Sequence, residues 1–214
     1  MKEIKDINST KRKILDCAVN LFAVKGFTET SVRELAASAG ISVATLYFYF
    51  PTKNAILEYI LTDYSEYSKK MIADNDVFMK LKKNPTLDGI MACFVLTFPE
   101  DKKEYNIKVL SVILQEQHRN IIIRDFITKE IILRDEENVK KIINVLKELN
   151  VLRPDTDPDF WFKMSSSLFY SFSNRMLLGI GDMSPGFTGA GLSGTLRFLF
   201  ELMLKYCGAD TDIC

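Results

Sequence analysis

Apolar residues along this chain recur with the 3.6-residue period of an α-helix, and no segment alternates with the two-residue period of a half-buried strand. That pattern restricts the fold to packed helices. Ile14, Ala18, Leu21 and Phe22 form one stripe on a first helix expected from about Thr10 to Lys25, with Ser9 or Thr10 as cap and Gly26 as stop. The start of a second, shorter helix is marked by the spacing of Ser31 and Glu34. The hydroxyl can take the Glu34 amide while the carboxylate returns to the Ser31 amide. Val32, Leu35, Ala36 and Ala39 would face inward. Gly40 breaks this helix, Ile41 plugs the corner, Ser42 caps a third helix and Pro51 ends it. Two short helices joined by a Gly turn make a helix-turn-helix.

The remainder is expected to be helical as well, giving an all-α chain of about nine helices. "TKNAILEYIL" begins a fourth helix that runs into the 70s. Others are expected over about 86–98 (ended by Pro99), through "KKEYNIKVLSVILQEQ", and over about 120–149. "RPDTDP" (153–158) is a linker, because its two prolines bar a continuing helix. The last two helices, about 158–179 and 192–206, are apolar round most of their circumference and must be covered by something. For a C-terminal pair, a second copy of the chain is a common answer. Six of the ten glycines lie between 179 and 194, which marks a flexible connection.

Several function classes find no footing. No run reaches the roughly 18 apolar residues of a membrane span, and the N-terminus lacks the apolar stretch of a signal peptide. A cytoplasmic protein is the expectation. Cys17, Cys93, Cys207 and Cys214 form no C-x-x-C pair, and His118 is the only histidine. Neither a metal site nor a cofactor is therefore expected. With no Gly-rich phosphate loop and no nucleophile paired to His118, catalysis is not expected. His118 reads as a surface or cap residue. Lys163 and Arg175, set in apolar stretches, could face an acidic ligand, snorkel to solvent or pair across subunits. Charge is uneven: residues 1–55 hold eight Lys/Arg against five Asp/Glu, the rest twenty against twenty-three. A basic module at one end of a mildly acidic body hints at a polyanionic partner.

The segment "TKRKILDCAVNLFAVKGFTETSVRELAASAGISVATLYFYFPTKNAILEYIL", residues 10–61, resembles the DNA-binding domain of the tetracycline-repressor (TetR) family. The likeness lies in "KGF-x-x-TSVRELA", the Gly turn, "S-x-x-TLYFYF" and the following "P-x-K", and it covers about a quarter of the chain. It implies a three-helix DNA-binding head over residues 1–55 and an effector-binding and dimerisation bundle over 56–214. It also implies phosphate contacts from Tyr47, Tyr49 and Lys53, with Thr45 beside them. Val43 and Tyr49 depart from the family's usual basic or polar residue and histidine, which leaves open which bases are read.

The residues support that assignment independently. In a helix starting at Ser42, Leu46 and Phe50 fall on one face and can pack on the first helix, with Ile41 and Phe48 taken as further packing residues. Tyr47 and Tyr49 point elsewhere, each with a hydroxyl that needs a polar partner. Val43, Ala44 and Thr45, near the helix start, would lie closest to base edges, the first two suited to a thymine methyl. Thr30, Ser31 and Arg33 open the second helix against the DNA backbone, and Lys11 and Arg12 could add an N-terminal arm. The expected partner is a pseudo-palindromic duplex bound by a homodimer formed through the two C-terminal helices.

The resemblance further implies an effector cavity in the helical body. Phe94, Phe98, Phe126 and Tyr170 are its candidate wall residues, and they point to a largely hydrophobic effector that releases a repressor from its operator. An architectural or protein-interaction factor with the same head and no effector is the alternative.

Overall fold

The computed structural model describes residues 2–74, 77–83, 85–94, 100–177 and 194–208, and those residues are helical with no strand. In chain order the helices are α1 (Lys2–Lys25), α2 (Val32–Ser38), α3 (Val43–Tyr49), α4 (Lys53–Asp74), α5 (Val77–Lys83), α6 (Leu87–Phe94), α7 (Glu100–Glu116), α8 (Ile121–Phe126), α9 (Leu133–Glu148), α10 (Pro158–Leu177) and α11 (Gly194–Tyr206). The all-α class stands as expected. The described residues carry more segments than the count of about nine, for two reasons. α5 was not expected, and the helix expected over 120–149 divides into α8, a π-helical stretch at Ile127–Ile132 and α9. α1 begins earlier than Thr10. The connection at 178–193 and the end of the 86–98 helix lie outside the described residues. No described helix is long and apolar enough to cross a membrane.

The chain forms two compact units: Met1–Tyr67 with Phe98–Ile127, and Ser68–Thr97 with Thr128–Cys214. In the first unit α1 packs against α2 and α7, and α2 against α3. Ile14, Ala18 and Phe22 of the expected stripe are buried, with Leu35, Ala36, Ala39, Leu46, Phe50, Ile56 and Leu57, while Leu21 is half-buried. Each fully buried Leu or Ile contributes about 1.5–3 kcal/mol of transfer free energy.

Local signals fix the head's connections. Gly26 takes φ +87°, left-handed backbone open to glycine at no steric cost. Ser31 accepts from the Glu34 amide at 3.2 Å, and the Glu34 carboxylate accepts from the Ser31 amide at 2.9 Å, completing the reciprocal cap. α2 ends in a Schellman arrangement around Gly40 (φ +65°): Gly40 N donates to Ala37 O and Ile41 N to Ala36 O, both at 3.0 Å.

In the second unit α10 packs on α9, α11 on α6, and α5 on both α6 and α9. Its core gathers Leu81, Ile90, Ile142, Leu146, Trp161 and Phe200. Trp161, the only tryptophan, is fully buried, and its Nε1 donates to Cys207 Sγ at 3.1 Å. The Trp161 and Phe200 rings meet edge to face at 6.4 Å. This explains why the chain tolerates a tryptophan inside: the indole N–H has an acceptor.

Two outcomes follow from this packing. Trp161→Ala should destabilise the protein by about 3–5 kcal/mol in urea unfolding followed by circular dichroism. The second concerns Glu34, whose carboxyl is held down at about 2, chiefly by the Lys25 ammonium and then by the Ser31 backbone and hydroxyl. A depressed folded-state pKa contributes stability above the unfolded value of 4.5, lost as pH falls through about 2. Glu34→Gln should therefore melt below wild type at pH 7, and the two should converge as pH approaches 2.

Candidate nucleic-acid interface

α3 is short, so the residues it buries decide where the others point. Leu46 is fully buried and Phe50, its C-cap, is 3% exposed. Successive side chains turn by about 100°, so Ala44, Tyr47 and Phe48 (i, i+3, i+4) share another face. All three are exposed, Tyr47 at 47% and Phe48 at 78%. Tyr49 is half-buried, and its ring meets Phe48 edge-on at 5.3 Å. Phe48 thus corrects the sequence reading, which took it as a packing residue. The signal was present: Phe48 lies about 200° round the helix from Leu46, too far to share its buried face.

The start of α3 is closed by side chains that also face outward. Ser42 Oγ accepts from Thr45 N at 3.0 Å and shares a hydrogen bond with Thr45 Oγ1 at 2.8 Å. Val43 is half-buried beside exposed Ala44. Ser31 and Arg33 are exposed at the start of α2.

Two expected outward side chains are instead turned inward. Thr30 is fully buried, its hydroxyl donating to Gly26 O at 2.8 Å. Lys53 Nζ donates to Phe27 O at 2.8 Å, Thr30 O at 2.9 Å and Thr28 O at 3.3 Å, and sits 4.4 Å from the centre of the Phe27 ring. Desolvation lowers the Lys53 pKa, opposed by the carboxylates of Glu116 and Glu29. The residue type and spacing were legible for Lys53, but not the ring of carbonyls that the 27–30 turn offers it.

The same turn is held from a further side. Glu116, the last residue of α7, is only 7% exposed, and its Oε1 accepts from Phe27 N at 2.9 Å. Nothing in the spacing of the sequence identifies this contact, which spans 89 residues. Lys11 and Arg12 are likewise engaged within the fold. Lys11 lies 3.7 Å from the Tyr59 ring centre, and Arg12 pairs with Asp16 at 3.1 Å and Asp63 at 3.3 Å while its guanidinium lies over Tyr105.

The body residues fare unevenly. Phe126 is buried in the first unit, its ring 6.4 Å from that of Tyr64, whereas Tyr170 is exposed on α10 in the second. Phe98 and the side chains of Phe94 and Arg175 lie outside the described residues. His118 and Lys163 are exposed.

Comparison with known proteins bears first on the head. The sequence pattern of "Bacterial regulatory proteins, tetR family" matches residues 14–60, which run from α1 through α3 into α4. YttP of Bacillus subtilis (strain 168), described as a probable HTH-type transcriptional regulator, is 47% identical over 64 residues, 29% of this chain and 31% of YttP. IcaR of Staphylococcus aureus (strain Newman), described as a negative transcriptional regulator of the biofilm operon icaADBC, is 32% identical over 99 residues, 46% of this chain and 50% of IcaR. The sequence likeness thus spans half or less of each relative's length. In fold the likeness is wider. A protein from Saccharomonospora viridis, described as a transcriptional regulator and solved in complex with choline, superposes with a TM-score of 0.65 at 20% identity over 93% of this chain and 97% of its own. Residues 14–60 thus match the tetR-family pattern, and the chain as a whole shares the fold of solved regulators of that type.

Proposed function

We propose that this protein is a DNA-binding transcriptional regulator that acts as a homodimer, a repressor released from a pseudo-palindromic operator by a small, largely apolar effector. The observation that carries the reading is the outward face of α3. Ala44, Tyr47 and Phe48 are presented together while Leu46 and Phe50 anchor the helix. A short helix following a Gly turn, with its apolar anchor buried and an aromatic face outside, is suited to a major groove. Tyr47 and Tyr49 would donate to phosphate oxygens, contacts that place the duplex without reading it. Val43, Ala44 and Thr45 lie nearest the bases, Ala44 and Phe48 offering apolar surface to thymine methyls. Ser31, Arg33 and Ser42 complete the surface from the helix starts. Thr30 and Lys53 act behind it, as supports of the turn.

Dimerisation is supported by the far side of the second unit's helices. Phe198, Leu202 and Tyr206 recur at i, i+4 and i+8 on α11 and are exposed at 57%, 47% and 69%. On α10, Met164 and Tyr170 are exposed as well. Such a stripe on a C-terminal helix favours a two-fold interface between copies. The small-molecule part of the effector reading, though not its apolar character, draws on the choline complex of the Saccharomonospora viridis protein. Of the candidate wall residues, Phe126 is buried, with Tyr64 as its ring neighbour, and carries this part of the reading, whereas Tyr170 is exposed.

Tyr47→Phe should leave the melting temperature unchanged and weaken duplex binding by about three- to tenfold in fluorescence anisotropy, the loss of one hydrogen bond. Phe50→Ala, by contrast, should lower the melting temperature. Normal operator binding by Tyr47→Phe would remove that hydroxyl from the interface. For the dimer, Phe198→Asp combined with Leu202→Asp should sediment as a folded monomer. A double variant that stays dimeric would place the interface elsewhere.

A further inference from the structure

The turn that launches α2 is held by two charged residues that lie far apart in sequence. Lys53, the first residue of α4, gives its ammonium to the carbonyls of Phe27, Thr28 and Thr30. Glu116, the last residue of α7, takes the amide of Phe27 on Oε1 at 2.9 Å. Its carboxylate also lies against Gly26, where an added Cβ would stand 3.1 Å from Oε1. A longer residue at 26 would therefore meet both left-handed backbone and the Glu116 oxygen. Glu116 Oε2 is buried with no hydrogen-bond donor among the described residues. A carboxylate is an expensive group to bury, offset here only by one backbone hydrogen bond and the field of the nearby Lys53 ammonium. A core position filled only for stability is better served by an apolar side chain, as replacements of buried ionic groups indicate. The remainder of α7 is tied to α1 alongside: Lys108 Nζ donates to Asn20 Oδ1 at 2.8 Å and Gln115 Nε2 to Ala23 O at 3.4 Å.

We propose that Glu116 is a positioning residue for DNA binding, which sets the launch of α2, and hence the pose of α3, from the end of α7 without touching DNA. The inference rests on the DNA-binding reading above. Its physical content is that the Phe27 amide has one acceptor, carried on a helix outside the helix-turn-helix. A displacement at the end of α7 must either carry the 26–30 turn with it or break this bond. Lys53 holds the carbonyl side of the same turn, so the segment responds as one piece.

Three variants separate placement from charge. Glu116→Ala removes acceptor and charge, Glu116→Asp keeps the charge but falls short by a methylene, and Glu116→Gln keeps an acceptor of the same length without the charge. The probe is a duplex enriched by the wild-type protein from a random-sequence pool, with amide hydrogen exchange of residues 26–31 measured on the same samples without DNA. We expect Glu116→Ala and Glu116→Asp to lose about tenfold or more in affinity, with the slope against salt unchanged because no phosphate contact is removed. Both should exchange faster at Phe27. Glu116→Gln should stay within about threefold of wild type, with the Phe27 amide still protected. The proposal is overturned if Glu116→Ala and Glu116→Asp keep wild-type affinity and protection. It is overturned equally if all three variants bind tighter, since that would mean removal of a repelling charge. Should Glu116→Ala fail to fold, the Asp and Gln pair decides by the same criteria. If wild type enriches no duplex while Phe27 exchange still responds to the variants, the DNA reading fails and the structural node survives it. Unchanged exchange removes the node itself.

Discussion

The burial of Leu46 and Phe50 is the constraint on which the head depends. α3 is too short to bury more than one face, and these two side chains, with Ser42 capping the start, commit that face to the interior. Ala44, Tyr47 and Phe48 are then outside by geometry. The run "TLYFYF" is therefore a single helix whose inward residues orient its outward ones. Stability and the recognition proposed for this face are two consequences of one helical rotation.

The launching turn extends that logic backward along the chain. Thr30 and Lys53, residue types that a duplex could use, are committed to backbone carbonyls around Phe27. A lysine with three carbonyl acceptors and an aromatic ring beneath it has little left to offer a phosphate, and desolvation lowers its pKa further. The outward chemistry thereby shifts toward the tyrosines, Phe48, Arg33 and the helix starts. Lys11 and Arg12, like Lys53, are engaged within the fold.

Legibility followed the range of the interaction. Caps and stops depend on residues three or four apart, and the Ser31–Glu34 box, the Gly40 corner and the Ser42 cap stand where spacing put them. Periodicity gave the inward residues of α1, including Ile14, Ala18 and Phe22. Phe48 was misplaced although its angle was available, because an aromatic side chain invites the assumption of burial. The partners of Lys53 and Glu116 could not be read at all. They are set by tertiary packing across 23 to 26 and 89 residues, and no local pattern encodes such pairings. The π-helical stretch at Ile127–Ile132 likewise left no mark in the hydrophobic period.

The central claim is that α3 presents a DNA-reading face in a two-fold dimer, and selection of duplexes from a random-sequence pool tests it most directly. The account predicts a two-fold symmetric motif whose half-sites are centred about one helical turn apart, roughly 10 base pairs, or a multiple of it. It further predicts that Ala44→Glu, on the exposed face, abolishes the enrichment while the protein stays folded. Enrichment of no motif by the wild-type protein, or of the same motif by the Ala44→Glu variant, would contradict it.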